Sequence, residues 1–564
     1  MEITTTTPIQ KDDLIEKLLK EKEVAFNFQK RRHEDWTDNY ELYRNKIKTN
    51  RLTQRQAVAI PLMKETLKVI LAKIDDPPSV KFKDLGGDRQ KEIYLQELWE
   101  SDFNRLNYEG IDVLDKKTIL LYGRGFKKLN FLDEQFKVDA LDIYDVIVDP
   151  LVSPIDLETA RFVIHQNIFK SVKEILADDK YTGKKNLEAY IHTKEGLIQS
   201  EKNKEALEKK QERLESMGVE KTDFEKFPGG DLLVNLSEHY TWLWDSKAEK
   251  FVRYVIIYAD DKIRLLKEPL KDLIGVDFLP FVSWGDDVET QDFWSDGVAD
   301  LVRVPNKILN IFFSQMIENR TLKNFQMHWY DSTKQGYIPQ TYEPGPGRML
   351  PAPGNPRDVI LPVEISGLED TLTQIDFLIK LIERGTSATA IEKGVSEKKQ
   401  ITLGEVEMLV GKAMEQTMST AKFYRRSWKE LAEKWYKIKE ANSVKQKTIY
   451  KVSGRGNIWP MTVKVSDWKS EKGYRVEVKS TSEQEAEKTS GIQKMMVVKQ
   501  QFPDNPALHK IVQRRILELI DLTPDELREV EEYEEKKTQG TEGTEMSQLT
   551  NGVNELSQMA TTLL

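Results

Sequence analysis

From Asp12 to about Ile47, apolar residues recur three and four apart, at Leu14, Leu18, Phe26 and Phe28 and then at Trp36, Tyr40 and Tyr43, which predicts helices. The pattern continues from Ala57 to Ile74 and stops at Asp76-Pro77-Pro78, because proline lacks the N–H and the backbone freedom that helix continuation needs. A further helix is expected from Asp88 to about Arg105. Between 118 and 150 the segments ILLYGRGFKKLNF and VDALDIYDVIVDP read as strands broken at Gly123, Gly125 and a turn at Asp133-Glu134, giving a sheet packed on helices. The stretch from Lys194 to Lys226 is dominated by Glu, Lys and Gln, with Leu207, Leu214 and Met217 as its apolar anchors, so it reads as an exposed helix or linker. From Leu232 to Trp284, YTWLWD, FVRYVIIYADD and KIRLLKEP alternate aromatic and aliphatic positions between turns, the pattern of a β-meander.

The middle of the chain changes rhythm sharply. Val298, Leu301, Pro305, Ile308, Phe312 and Met316 share one helical stripe, expected to be buried, with Pro305 starting or bending the helix. Residues 325–365 then hold seven of the 21 prolines, in phrases such as EPGPGRMLPAPGNP, which restricts them to short strands and turns. Ser366 and Glu369 form a capping-box pattern ahead of a stripe of Leu368, Leu372, Ile375, Ile379 and Ile382. After the polar segment GTSATAIEKGVSEKKQI, a second capping-box pattern at Thr402 and Glu405 opens a helix running to about Ala441. At about 1.5 Å per residue that helix spans nearly 60 Å. Its stripe runs through Val406, Val410, Ala413, Thr417, Thr420, Tyr424, Trp428, Leu431, Trp435 and Ile438, small at one end and aromatic at the other. Close packing follows at the first end and a thick core at the second. Strands are expected at TIYKV, MTVKV and YRVEV, helices at Ile492–Gln500, His509–Ile520 and after Thr523-Pro524-Asp525-Glu526, and a polar, disordered tail over roughly the last thirty residues.

Length and composition narrow the function. The 564 residues exceed what one core organises, so two to four modules or one extended multi-part subunit are expected. A hydrophobic share of 39% supports a core, while a net charge of −9 argues against a simple basic nucleic-acid binder. Without cysteine, disulfides, thiolate zinc sites and cysteine nucleophiles are excluded. The start MEITTTTPIQKDDLIEKLLKEKEV has no signal-peptide pattern and nowhere do 18 apolar residues run together, so neither a secreted precursor nor a membrane-spanning protein is expected.

Catalytic motifs are missing. GEVEMLVGKA, from Gly404, has six residues between its glycines where a phosphate loop has four, and Ala413 stands at the hydroxyl position. Gly123-Arg124-Gly125 lacks the third glycine of a dinucleotide fingerprint and reads as a turn or bulge. Histidines at 33, 165, 192, 239, 328 and 509 have no metal-ligand spacing, and the acid pairs Asp75-Asp76, Asp260-Asp261 and Asp286-Asp287 sit where turns favour Asp for local hydrogen bonds. No catalytic residue, metal or cofactor is therefore expected. Phe325, Trp329, Tyr330, Tyr337 and Tyr342 could stack on bases, but anchoring short strands or a subunit contact is the favoured reading.

The order of these elements resembles the portal proteins of tailed bacteriophages over roughly residues 30–480. The resemblance is carried by LLYGRGFKKLNF, by VDALDIYDVIVDPLVSPIDLETARFVIHQNIFKSVKEIL and by LPFVSWGDDVETQDFWSDGVADLVRVPNKILN, followed by helix, Pro/Gly-rich β insert, helix, polar loop and very long helix. It implies an α+β subunit in which residues 1–296 form a wing, 297–324 a first stem helix, 325–365 a clip, 366–384 a second stem helix and 385–402 a channel-facing tunnel loop. A long wing helix at 403–441, wing strands at 442–480, a helical crown at 481–537 and a tail at 538–564 complete it.

The resemblance further implies a non-enzymatic homo-oligomeric ring of about twelve copies at one capsid vertex of the virion, assembled in the host cytoplasm. Double-stranded DNA would pass through the channel during packaging and ejection. The terminase large subunit, a head-tail adaptor, and the major capsid and scaffolding proteins would be its partners, with no membrane. On this mapping Lys393, Lys398, Lys399 and Gln400 are DNA-channel candidates, giving phosphate contact without sequence readout. Trp329, Tyr330, Tyr337, Tyr342 and Arg348 are clip candidates for partner docking. The alternatives are another head-tail connector or minor capsid protein and, from a different class, a helicase, nuclease or packaging ATPase.

Overall fold

The computed structural model describes residues 12–46, 58–74, 78–132, 135–204, 232–246, 249–324, 328–330, 360–362, 371–386, 403–443, 447–452, 458–479 and 491–497, with 501 and 512. The chain divides into two compact units, Met1–Ile449 with Thr462–Val478, and Tyr450–Met461 with Lys479–Leu564. Within the second, residues 491–497 are helical, overlapping the helix expected over Ile492–Gln500, while the remaining crown and tail expectations lie outside the described residues apart from 501 and 512.

The first unit begins with α1 (Asp13–Lys30), α2 (His33–Tyr43) and α3 (Leu62–Ile74), then β1 (Ser79–Asp84), α4 (Arg89–Arg105) and α5 (Tyr108–Tyr122). Asp12 and Asp88 cap α1 and α4 by accepting from backbone N–H groups of their first turns. The strand expected from Ile119 is corrected here. Ile119 to Tyr122 form the last turn of α5, and β2 (Arg124–Leu132) starts beyond Gly123. Gly123 ends the helix at φ +84°, and a Cβ there would lie 1.9 Å from the Ser295 carbonyl oxygen, so only glycine fits.

β3 (Gln135–Leu141), β4 (Val146–Val148) and β5 (Phe162–Ser171) lead through α6 (Val172–Ala177), α7 (Lys184–Ile191) and helical residues 194–204 to the expected meander. It consists of β6 (Leu233–Asp245), β7 (Lys250–Ala259) and β8 (Ile263–Pro269). These strands extend a five-stranded antiparallel sheet in the order β4-β5-β6-β7-β8. Side chains alternate between its faces. Ile147, Phe162, Ile164, Ile256 and Tyr258 lie in the small clusters under α1, while Val146, Val148, Val163, Val255 and Ile257 enter the main core. Both faces being covered explains why YVIIYA and VIV are continuous apolar runs.

A three-stranded sheet, β3-β2-β9, uses β9 (Phe281–Gly285), which follows α8 (Leu270–Ile274). Beyond it come α9 (Val298–Asn324), the paired β10 (His328–Tyr330) and β11 (Ile360–Pro362), and α10 (Thr371–Thr386). The 40-residue α11 (Leu403–Asn442) precedes β12 (Lys447–Val452), β13 (Ile458–Val463), α12 (Val465–Trp468) and β14 (Tyr474–Lys479). β14 returns to pair with β1. The aromatic end of α11 is buried as its pattern implies: Trp435 meets Trp99 edge-on at 5.2 Å, Trp428 lies 4.9 Å from Tyr108, and Leu431 and Ile438 are enclosed. Helix and sheet thus mix in an α+β fold.

Candidate subunit interface

α9 and α10 pack against each other, and α9 also contacts α2, α3 and α5. Its start is fixed by Asp300, whose carboxylate accepts from the Gly297 backbone N–H at 2.9 Å and from Asn39 at 3.0 Å. The face that α9 turns into the chain shares only Val298 with the expected stripe. Val298, Val302, Asn306, Leu309, Asn310 and Ser314 are buried, whereas Leu301 is 54% exposed and Val304 56%. The inward polar residues have defined tasks: Asn310 Oδ1 accepts from Ile60 N at 3.0 Å and Ser314 Oγ from Val58 N at 3.1 Å. These bonds satisfy two backbone N–H groups of the irregular segment 58–60 that leads into α3. Pro305 lies within the helix and neither starts nor ends it.

The same division holds in α10. Thr371, Ile375 and Ile382 are buried, but Leu372 and Phe377 are each 65% exposed and Leu381 is also exposed, so Leu372 leaves its expected place inside. The capping pattern at Ser366 and Glu369, with Leu368, lies outside the described residues. Two adjoining helices thus carry outward apolar side chains: Leu301, Val304 and Ile308 on one, Leu372, Phe377 and Leu381 on the other.

Behind them, buried charges hold α11. Asp112 accepts from the Tyr424 hydroxyl at 2.6 Å and pairs with Lys116 at 2.8 Å, while Asp115 pairs with Lys127 at 2.8 Å and accepts from Trp284 Nε1 at 2.8 Å. Glu158 joins Arg253 at 2.6 Å and Lys434 at 2.9 Å, and Asp102 meets Lys439, Lys447 and Trp435 Nε1. Burial lowers the Lys439 ammonium to about 8 against the opposing pull of Asp102. Sequence reading passed over these groups, although a signal existed: Tyr108, Asp112, Asp115 and Ile119 share one helical face, so its two carboxylates interrupt an apolar stripe.

Of the clip candidates, Trp329 and Tyr330 sit in β10 opposite Leu361 and Ile360, while Tyr337, Tyr342 and Arg348 lie outside the described residues. So do Lys393, Lys398, Lys399 and Gln400. Two of the acid pairs are engaged by residues distant in sequence and not only by their own turns. Asp260 accepts from Asn203 at 2.7 Å, Asp261 pairs with Lys22 at 2.8 Å, and Asp286 accepts from Thr420 at 2.7 Å; Asp75-Asp76 is outside the described residues. Among the described residues no cluster of three or more His, Asp or Glu could hold a metal ion, and no helix is long and apolar enough to cross a membrane.

The family described as phage SU10 portal protein matches residues 15–520. The chain belongs to the phage SU10 portal protein family. Portal proteins are structural, not enzymatic, which removes the nucleic-acid-processing alternative. The family gives the chain a portal or connector role at the capsid vertex of a phage; portal proteins assemble as rings and contact capsid and tail components. No curated protein matches the chain. Among solved structures, the neck of an empty GTA particle computed with C6 symmetry is similar over 80% of this chain and 90% of that one, at 10% identity and a TM-score of 0.37.

Proposed function

We propose that about twelve copies of this portal chain close into a ring whose central hole conducts double-stranded DNA during packaging and ejection. The observation that carries the reading is the outward apolar face shared by α9 and α10. Helices with exposed Leu, Val and Phe side chains on two neighbouring rods suit side-by-side packing against the next copy around a closed ring.

On this reading α9 and α10 are the stem, with 325–365 forming the clip that receives the terminase large subunit and later a head-tail adaptor. Trp329, Tyr330, Tyr337, Tyr342 and Arg348 are its docking candidates. Residues 385–402 form the tunnel loop, where Lys393, Lys398, Lys399 and Gln400 touch phosphates in passing, without base readout. Residues 1–296 and 403–480 form the wing that meets the major capsid and scaffolding proteins, and 481–537 the crown, with assembly in the host cytoplasm.

Native mass spectrometry and negative-stain electron microscopy of the purified chain test the ring. A particle of about twelve subunits with a central hole is expected, and a compact monomer under every assembly condition, scaffolding protein included, would overturn the reading. Deleting Gly394–Gln400 tests the loop separately: rings should form normally while DNA packaging or retention fails.

A further inference from the structure

We propose that α1 is an acid-released strap: His239, enclosed between α1 and the five-stranded sheet, takes up a proton only when α1 lifts. α1 covers one face of the sheet through two small clusters, Ile15 and Leu18 on Ile256 and Tyr258, and Ala25 on Ile147, Phe162 and Ile164. His239 lies on β6 between them, opposite Ile164 on one side and Ile256 on the other, and is 0% exposed. Neither of its ring nitrogens has a hydrogen-bond partner.

The charges that face it come from α1. Glu21 Oε2 stands 3.5 Å from His239 Nε2, at ion-pair rather than hydrogen-bond distance, and Lys22 adds a like charge to any imidazolium. Lys22 is itself turned to Asp261 at 2.8 Å and Ser237 Oγ at 3.3 Å. β7 contributes the Tyr258 phenol, its ring centroid 6.5 Å from the imidazole, and β5 the uncharged Phe162 ring at 5.5 Å. Arg161, ahead of β5, feels the Glu21 charge but is held by Asp149 at 2.7 Å. An imidazolium here would bury two N–H donors beside one half-exposed carboxylate, so the docked strap favours the neutral ring. Burial accordingly holds the imidazole below its usual 6.5, against the pull of Glu21.

The strap has a fixed end and a loose one. Gln29 Nε2 donates to the Ile143 and Val146 carbonyls, both at 3.0 Å, whereas the far end is tied by Asp12 to Arg264 at 2.9 Å, an arginine 41% exposed. Exposed pairs of that kind contribute little. No solvent path to the closed site is needed, because the open form takes up the proton. The His239 contribution to docking is therefore fully present above 6.5, and it weakens by up to about tenfold per pH unit below that, until the docked form itself binds the proton. Opening uncovers a largely apolar face, with Phe162, Ile164, Ile256 and Tyr258.

Hydrogen exchange of the full chain, corrected for the intrinsic effect of pH, reads the strap at about pH 7.5 and about pH 5.5. Protection within α1 should fall about fivefold or more on acidification, while that of α4 stays constant. In His239→Gln the loss should vanish, and in Glu21→Gln it should grow, because the group that favours the charged ring is gone. Should His239→Gln fail to fold, wild type and Glu21→Gln decide alone. Protection of α1 that holds or rises at the lower pH, an equal loss throughout α4, or an acid response retained in His239→Gln overturns the assignment.

Discussion

The Tyr424 hydroxyl donates to Asp112 Oδ2 at 2.6 Å, joining α11 to α5 across 312 residues of sequence in a site where both side chains are buried. Burial, reinforced by the Asp112 charge, raises the phenol far above its ordinary value, so it stays a donor at every accessible pH. Tyr424→Phe removes one of the partners of a buried carboxylate. It should cost on the order of 1–3 kcal/mol, read as a lower urea midpoint with an unchanged slope. A midpoint equal to wild type would show that Lys116 alone satisfies Asp112.

Gly123→Ala should be far more damaging than an ordinary helix-end substitution. The left-handed φ already disfavours a side chain, and the Ser295 carbonyl occupies the space a methyl needs. Loss of most soluble protein, or a drop in Tm of well over five degrees, is the expected result. A soluble variant melting within a degree of wild type would mean that the 295–297 segment yields freely.

Asp286 supplies a pH dependence. Burial raises its carboxyl to about 6, against the lowering effect of the Thr420 hydroxyl. Because the folded value lies above the ordinary 3.8, its contribution to stability is complete below about pH 4 and is lost as pH rises through 6. Asp286→Asn keeps an oxygen for Thr420 and removes the ionisation. The variant should gain stability relative to wild type between pH 4 and 7, by on the order of 2 kcal/mol at the upper end. Parallel melting curves across that range would sink the idea.

Phe377→Asp and Leu301→Asp address the outward helix faces. Each side chain is more than half exposed in the single chain, so circular dichroism and monomer Tm should change little. Native mass spectrometry should show the ring population falling at least tenfold. Rings at wild-type abundance in both variants would remove these faces from the subunit contact.

Much of the architecture could be read from residue order because the patterns were long. The aromatic half of α11 repeats for about four turns, and the β6-β7-β8 meander alternates between clear turns. α5 escaped because ILLY, a short apolar run beside glycine, has no period of its own and fits strand or helix equally. The face of α9 was misassigned for a different reason. Leu301 and Ile308 of its expected stripe point outward, and Asn310 and Ser314 turn inward to serve the backbone of 58–60, a contact that nothing local in the sequence announces. The charged interior was half legible: Asp112 and Asp115 interrupt an apolar helical face, but Tyr424 meets Asp112 only once the chain has folded back on itself. Of the channel and clip candidates, only Trp329 and Tyr330 fall on described elements.

Tyr424, Lys434 and Lys439 fasten α11 to three separate parts of the first unit: α5, the neighbourhood of Glu158, and α4. These attachments span fifteen residues, about 22 Å of helix. Mechanically, the second half of α11 is a built-in beam. A load carried along the helix reaches the three fastenings together as a bending moment, which spreads it into the surrounding core. Loosening any one of them should make the beam more compliant before it makes the fold less stable.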